Sequence, residues 1–285
     1  MKILLISLFS FCNCCLGQKP RYTQKNFVNY LDTSEFKYVI PNSNGFQRTY
    51  ILTRATYYDL DDDSTTYMKF TDSVLICIEG VMKNKKREGV FTFSLFDIID
   101  HSKKYKIWEQ TFKNDELNGP WRHFTLRGGL VSIDTYKKGN LNHSRTYWID
   151  GKSLLEEADY SKDQLTYFFK NYYENQKIKS ELSYMNGKLN GVCKKYYDNG
   201  KIQEYAEFKD DVFDGIRKYY YDSGQLWIEQ TYKEGKYMDV IANYTRDGIK
   251  RDPGTLKKGY GTIIYYNEDG SVRETETIIN GVLSK

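Results

Sequence analysis

The sequence predicts an all-β protein, an extended antiparallel meander built from tandem 24-residue β-hairpin repeats. Three observations carry this expectation: an aromatic period, Gly dipeptides at fixed places within that period, and spacings too short for helices. Reading every twenty-fourth residue from Phe112 gives Tyr136, Tyr160, Tyr184, Phe208 and Tyr232, and a second register twelve residues on gives Phe124, Trp148, Tyr172, Tyr196, Tyr220 and Tyr244. With aromatics at 16% of the chain, twelve such hits have a chance of about one in a few billion, so the period is a property of the chain.

The Gly columns supply the turns. Gly119, Gly191 and Gly215 share one column, and Gly128, Gly200, Gly224 and Gly248 recur nine residues later. Asn118, Asn190, Asn199, Asp214, Ser223, Asp247 and, before Gly270, Asp269 precede them, giving dipeptides that tolerate the positive φ of tight hairpins. Roughly five to eight residues remain between successive turns, which is strand length. Each repeat is therefore expected to hold two short strands and two turns.

Imperfections mark weak points and ends. His143 and Tyr167 stand where a Gly is expected, Gln176 replaces the second Gly, and Gly151 arrives one residue early, so the repeat near Tyr160 to Tyr184 is the most degraded. A Pro253-Gly254 break follows the regular array, and a last copy runs over 256–281 through Gly261, Tyr266 and Gly270 with two residues missing. Irregular end repeats suit capping. The array thus spans 112–285. Residues 18–111 read as a β-rich region with a diverged repeat and an insertion, continuous with the array; the role of 18–80 is not legible.

Lys2, the apolar run Ile3 to Phe11 and the small Gly17 before Gln18 have the pattern of a secretory signal peptide over 1–17, cleaved after Gly17. A lipoprotein anchor is the rival reading; Cys12, Cys14 and Cys15 lack the small preceding residue it wants. Nine apolar residues do not span a bilayer, so no transmembrane segment is expected. The expectation is an exported protein, periplasmic, secreted or at the cell surface. Cys77 and Cys193 lie nearly five repeats apart, roughly 45 Å in an open array against a limit near 7 Å for a bridge, so both are expected as thiols. Cys193 shares a strand column with Trp121, Phe169, Ile241 and Ile263, and a small buried hydrophobe is its expected role.

Without Lys2, 41 basic face 38 acidic residues along the chain. Nucleic acid would want a concentrated basic stripe, and the densest cluster, Lys83 to Arg87, is one charged turn. The sequence carries no His-Glu-x-x-His, Gly-x-Ser-x-Gly or phosphate-cradling loop, and its three histidines, His101, His123 and His143, are dispersed. Asp59, Asp61 and Asp63 have the spacing of a calcium loop, but Ser64 and Phe70 stand where its Gly and bidentate Glu belong. No enzyme, metal or cofactor is expected. The sequons at Asn142 and Asn243 matter only in a glycosylating host.

Rows of rings could stack sugars or grip peptide. Rings recurring at one strand position also stack on each other, adding about 0.5–1.5 kcal/mol per pair beyond burial, and a thin sheet needs that core. The ladders are therefore read as structural, and Tyr197, Tyr205, Tyr221 and Trp227, outside those columns on the opposite pleat, as the better binding surface.

The unit Tyr184-Met185-Asn186-Gly187-Lys188-Leu189-Asn190-Gly191, then Tyr196 to Ile202 and on to Phe208, resembles the variant MORN repeat of bacterial proteins often labelled YwqK-family antitoxins. The resemblance covers 112–248 and 256–281, and it departs from the eukaryotic MORN pattern by lacking a Gly-x-Gly pair. It implies an extended hairpin sheet that binds another protein or a cell-envelope component. An antitoxin or immunity-like protein masking a partner, and glycan or lipid binding at the cell surface, are alternatives; a leader peptide fits poorly with neutralising a cytosolic toxin.

Overall fold

The computed structural model describes residues 27–31, 44–60, 67–96, 103–125, 128–148, 150–161, 165–267 and 269–284. The leader and the acidic pair Asp61 and Asp63 lie outside them. The strands are β1 (Phe27–Leu31), β2 (Gly45–Leu60), β3 (Tyr67–Lys83), β4 (Lys86–Phe96), β5 (Lys104–Lys113), β6 (Glu116–Phe124) and β7 (Leu130–Lys137). They continue with β8 (Asn140–Tyr147), β9 (Leu154–Tyr160), β10 (Tyr167–Tyr172), β11 (Ile178–Met185), β12 (Lys188–Leu189), β13 (Gly191–Tyr196) and β14 (Ile202–Lys209). The last are β15 (Val212–Tyr220), β16 (Leu226–Lys233), β17 (Lys236–Tyr244), β18 (Lys250–Arg251), β19 (Gly261–Tyr266), β20 (Val272–Ile279) and β21 (Val282–Leu283). No described residue is helical. From β1 to β18 each strand pairs antiparallel with its chain neighbour in one 18-stranded meander, and β19–β21 form a second sheet.

Two kinds of turn alternate along this meander. On one edge lie two-residue turns with both residues at positive φ: Asn114-Asp115 (52°, 71°), Asn186-Gly187 (54°, 74°), Asp210-Asp211 (51°, 74°) and Glu234-Gly235 (50°, 78°). That is the hairpin turn whose twist matches paired strands. On the other edge a longer turn, closed by bonds such as Tyr197 N–H to the Lys201 carbonyl, ends on one left-handed residue, Gly128, Gly200, Gly224, Gly248 or Gly270, with Gln176 taking this role at φ 65°. The second Gly column therefore sits in turns as expected. The first does not, and the expectation is corrected here: Gly119, Gly191, Gly215 and Gly261 lie within or at the start of β6, β13, β15 and β19.

Each of them sits at a positive φ inside a paired strand, 128° at Gly119 and Gly215, 94° at Gly191 and 130° at Gly261. Gly119 faces Tyr136, Gly191 faces Phe208, and Gly215 faces Tyr232 across the ladder. Gly215 also sits at φ 128° beside a register shift, and a Cβ there would lie 2.0 Å from Glu207 Oε2. The Asn-Gly and Asp-Gly dipeptides of this column are thus bulges, where the Gly supplies the positive φ and leaves room for a side chain of the neighbouring strand, Thr111 at Gly119 and Glu207 at Gly215. Where the Gly is lost, at Tyr167, a ring substitutes and stacks on Tyr184 at 4.4 Å and 12°.

The two aromatic columns face opposite sides of the sheet. Phe112, Phe208 and Tyr232 are buried on one face, here the inner face, with contacts such as Phe208 to Phe213 (4.5 Å) and Tyr232 to Tyr237 (4.7 Å). Tyr136, Tyr160 and Tyr184 continue this ladder half-buried. Tyr172 and Tyr196 belong to the outer face, where their hydroxyls donate to Glu157 (2.6 Å) and Glu181 (2.7 Å). Phe124, Trp148, Tyr220, Tyr244 and Tyr266, the rest of that column, are also half-buried. Cys77 and Cys193 are buried thiols on separate strands, Cys77 opposite Ser94 and Cys193 opposite Ala206.

A further column ties repeat to repeat. Tyr173, Tyr197 and Tyr221 donate to the carbonyls of Tyr196 (2.6 Å), Tyr220 (2.7 Å) and Tyr244 (3.0 Å), each 23 residues on. Asn175 and Asn199 likewise reach the carbonyls of Asp198 and Asp222. Tyr197→Phe keeps the ring and removes one tie, so a loss of about 1 kcal/mol is expected in urea unfolding. An unchanged midpoint would show that the tie carries no net stability.

After β18 the chain turns at Pro253-Gly254 and folds back. Val240 and Tyr237 donate backbone N–H groups to the carbonyls of Leu256 (3.2 Å) and Gly281 (3.0 Å). Ile228, Leu256, Ile263 and Ile278 form a buried cluster between the two sheets, with Tyr219, Trp227, Tyr237, Val240 and Tyr265 around it. The last, shortened copy thus covers the inner face of the final regular repeats.

Candidate functional site

The outer face carries a row of side chains whose signs alternate from strand to strand. Reading across the register it runs Glu109, Arg122, Ile133, Arg145, Glu157, Lys170, Glu181, Lys194, Tyr205, Lys218, Glu229. Opposite charges directly across an antiparallel pair stabilise modestly, by a few tenths of a kcal/mol to about 1 kcal/mol. Arg145 and Lys170 both lie 3.7 Å from Glu157, and Lys218 lies 3.2 Å from Glu229.

At Tyr205 the row breaks. The position 24 residues earlier is Glu181 and the one 24 later is Glu229, but here a phenol stands between Lys194 and Lys218. Its hydroxyl donates to Glu207 (2.8 Å), and that bond, with some burial, raises its pKa. Two consequences follow. Tyr220 meets a phenol where Tyr172 and Tyr196 meet a carboxylate, and Lys194 makes no ion pair among the described residues. Val192 and Val212 stand exposed on the same face, beside Glu207 and Lys209. The result is a basic, aromatic and apolar step, the second break in the row after Ile133; there the flanking Arg122 and Arg145 still reach Glu109 (3.6 Å) and Glu157 (3.7 Å), whereas here Lys194 makes no ion pair among the described residues.

The inner face holds a different arrangement. Glu204, buried, pairs with Lys195 Nζ at 2.9 Å and with Arg217 Nη2 at 2.8 Å. Burial pushes the Glu204 carboxyl up, yet the Arg217 and Lys195 charges together outweigh it and hold the pKa below the usual value. The Arg217 guanidinium lies 4.1 Å from the Phe213 ring centroid and 4.7 Å from that of Tyr219. From Arg217 a cavity of about 320 Å³ opens towards the folded-back sheet, lined by Tyr219, Trp227, Gln230, Tyr232, Tyr237 and Tyr265 over Ile228. Gln230 is committed, accepting from Tyr232 (3.2 Å) and donating to Tyr265 (3.3 Å). Trp227 Nε1 is buried there and has no partner among the described residues.

The four residues expected to form a binding surface therefore separate. Tyr205 lies at the step on the outer face. Tyr197 and Tyr221 spend their hydroxyls on neighbouring turns. Trp227 lines the inner cavity, because the register shift between Tyr219 and Tyr220 makes it the extra residue of a bulge and spoils the parity argument. The sequence signal for the step was present in the same period that revealed the repeat, as a column holding Glu109, Ile133, Glu157, Glu181, Tyr205 and Glu229, in which Ile133 and Tyr205 are the two positions without an acid.

The described histidines, His123 and His143, do not assemble a nucleophile and base. His123 stacks on Trp121 at 4.9 Å, and burial lowers its pKa while Asp134 raises it. Ser144 donates to Asp134 (2.5 Å) rather than to a histidine. No group of side chains suited to a metal ion occurs among the described residues, and no helix among them is long and apolar enough to cross a membrane.

No curated protein matches the chain. Two adjacent segments, residues 189–210 and 213–234, match the MORN repeat variant, and they enclose both the Tyr205 step and most of the inner cavity. MORN repeats are generally non-catalytic modules that bind partner proteins or membranes, and that is what these two repeats resemble.

Proposed function

We propose that the protein is a non-catalytic, exported repeat module that binds another protein, and that the contact is centred on Tyr205 on the outer face. The observation that carries this reading is the missing acid at Tyr205: two lysines flank a phenol, with Val192 and Val212 exposed nearby, so the step suits an acidic segment that also offers an apolar side chain. Of the two lysines, Lys218 is held by Glu229, so Lys194 carries the uncompensated charge; at Ile133, the other break in the row, Arg122 and Arg145 both reach carboxylates. Export rests on Lys2, Ile3 to Phe11 and Gly17.

In-cell crosslinking followed by mass spectrometry, combined with fractionation, tests both halves. Tyr205→Glu restores the alternation and is expected to leave the fold intact or slightly more stable. Crosslinks of the wild-type protein to an acidic partner, weakened at least tenfold in Tyr205→Glu, are the expected result. Crosslinks unchanged by that substitution would refute the assigned surface, and recovery of uncleaved protein from the cytoplasm would refute export.

A further inference from the structure

Two glutamates stand at the same place in two repeats of the inner face, and only one of them is neutralised. Glu156 and Glu204 lie 48 residues apart, two periods, and each is followed two positions on by a buried alanine, Ala158 or Ala206. Glu204 is flanked across the ladder by Lys195 and Tyr219, and Ala206 faces Arg217. Glu156 is flanked by Thr146 and Asn171, and Ala158 faces Phe169. Where Glu204 has Lys195 and Arg217, Glu156 therefore has a threonine and a phenylalanine. The rings correspond as well, Phe208 beside Phe213 (4.5 Å) at one site and Tyr160 beside Tyr167 (5.3 Å) at the other.

No neighbour supplies the missing charge. Glu156 makes no hydrogen bond or ion pair among the described residues, and burial raises its pKa. Among the described residues no Lys or Arg stands on the inner face of β7 to β11: Arg145 and Lys170 serve Glu157 on the outer side, and Lys195, on β13, is held by Glu204. A second carboxylate adds to the deficit. Burial, Asp134, Tyr167 and Glu156 push the pKa of Tyr160 up to about 12, which places this phenol in the field of both acids. Asp134 accepts from Ser144 (2.5 Å); His123, 3.9 Å away, offsets it only when protonated, and burial disfavours that form. Glu156, Asp134, Thr146, Asn171 and Tyr160 are all half-buried, so this stretch is reachable from solvent. The folded-back sheet packs at Ile228, several strands away.

We infer that the inner face at Glu156 docks a basic segment of a partner protein, whose Lys or Arg side chain brings from outside the charge that Lys195 and Arg217 bring to Glu204. The molecule contains its own example of the contact. Arg217 reaches Glu204 at 2.8 Å with its guanidinium over Phe213 and Tyr219, and Tyr160 and Tyr167 offer rings in the same relation to Glu156. A polypeptide suits the site better than a free polyamine, because Phe169 and Leu182, paired beside Ala158, give it an apolar flank. This surface is separate from the Tyr205 step and does not depend on it.

The test is fluorescence anisotropy on the full mature chain at physiological ionic strength. The probe is a fluorescein-labelled octapeptide of alternating leucine and arginine, compared with the same peptide carrying glutamine for arginine. Saturable binding of the arginine peptide, roughly tenfold or more tighter than the glutamine peptide, is expected. Glu156→Gln should lose at least about tenfold of that affinity and melt at or above the wild type, since no partner is orphaned, while Glu174→Gln at an exposed turn should change neither. Thr146→Lys copies the ladder position of Lys195, so it should raise the melting midpoint and abolish binding. No saturable binding, equal binding by wild type and Glu156→Gln, or undiminished binding by Thr146→Lys overturns the inference. A melt of Glu156→Gln well below the wild type overturns it too, by giving the carboxylate a structural role, and spermidine displacing the peptide at equal concentration overturns the assignment to a polypeptide.

Discussion

Gly254→Ala is expected to release the folded-back sheet from the rest of the molecule. Gly254 adopts φ 101°, and a Cβ there would lie 2.2 Å from the carbonyl oxygen of Thr262 and 3.0 Å from the Cα of Ile263. Both are backbone atoms of β19, so no side-chain rotation relieves the contact. The left-handed conformation and the overlap together should cost about 3 kcal/mol or more. The cost falls on one element, because Gly254 joins the regular array to the sheet that buries Ile263 and Ile278 against Ile228. Hydrogen exchange should show the Ile263 and Ile278 amides losing protection while those of Ala206 and Phe208 keep theirs. Full protection of β19 and β20 would mean that the turn tolerates a methyl group and that the steric account is wrong.

Glu204→Gln is expected to destabilise by about 3–5 kcal/mol, because it leaves Lys195 and Arg217 as cations around a neutral amide on a buried face. Replacing all three together, as Glu204→Leu with Arg217→Met and Lys195→Met, should cost less than Glu204→Gln alone, since no orphan charge remains. The pH dependence has a definite sign. The folded carboxyl has a lowered pKa, so its stabilisation is complete above the unfolded value of 4.5 and is lost as pH falls through the folded value. In urea unfolding the stability gap between wild type and Glu204→Gln should therefore narrow as pH falls below 4.5. A Glu204→Gln penalty under 1 kcal/mol, or one independent of pH, would contradict this role.

These residues also show how much a single sequence reveals. The period, the two strands per repeat, the capping role of the last copy and the burial of Cys193 follow from spacing, because a 24-residue recurrence fixes which residues stand side by side. Turn placement differs where two chemistries share one dipeptide: Asn118-Gly119 and Asp214-Gly215 resemble turns, but each lies at a register shift inside a paired strand with its Gly at φ 128°, a bulge, and the actual turns use pairs such as Asp210-Asp211. Bulges also defeat alternation, which is why Trp227 was assigned to the wrong pleat. The inner cavity needs Tyr265 beside Gln230, a contact 35 residues apart that arises only from the fold-back at Gly254. The Tyr205 step was written in the period as a missing acid, and only pairing with Lys194 and Lys218 gives it meaning.

The central claim is that the protein acts by binding a partner at the Tyr205 step, and site-specific photocrosslinking tests it most directly. A photoreactive phenylalanine analogue placed in turn at Tyr205, at Ile133 on the same face and at Phe208 on the inner face samples the step, the other break in the row, where both flanking arginines are paired, and the opposite side. The account predicts that one protein adduct forms in cells from position 205, at least tenfold more than from 133 or 208. Equal adducts from all three positions, or the strongest from 208, would contradict it.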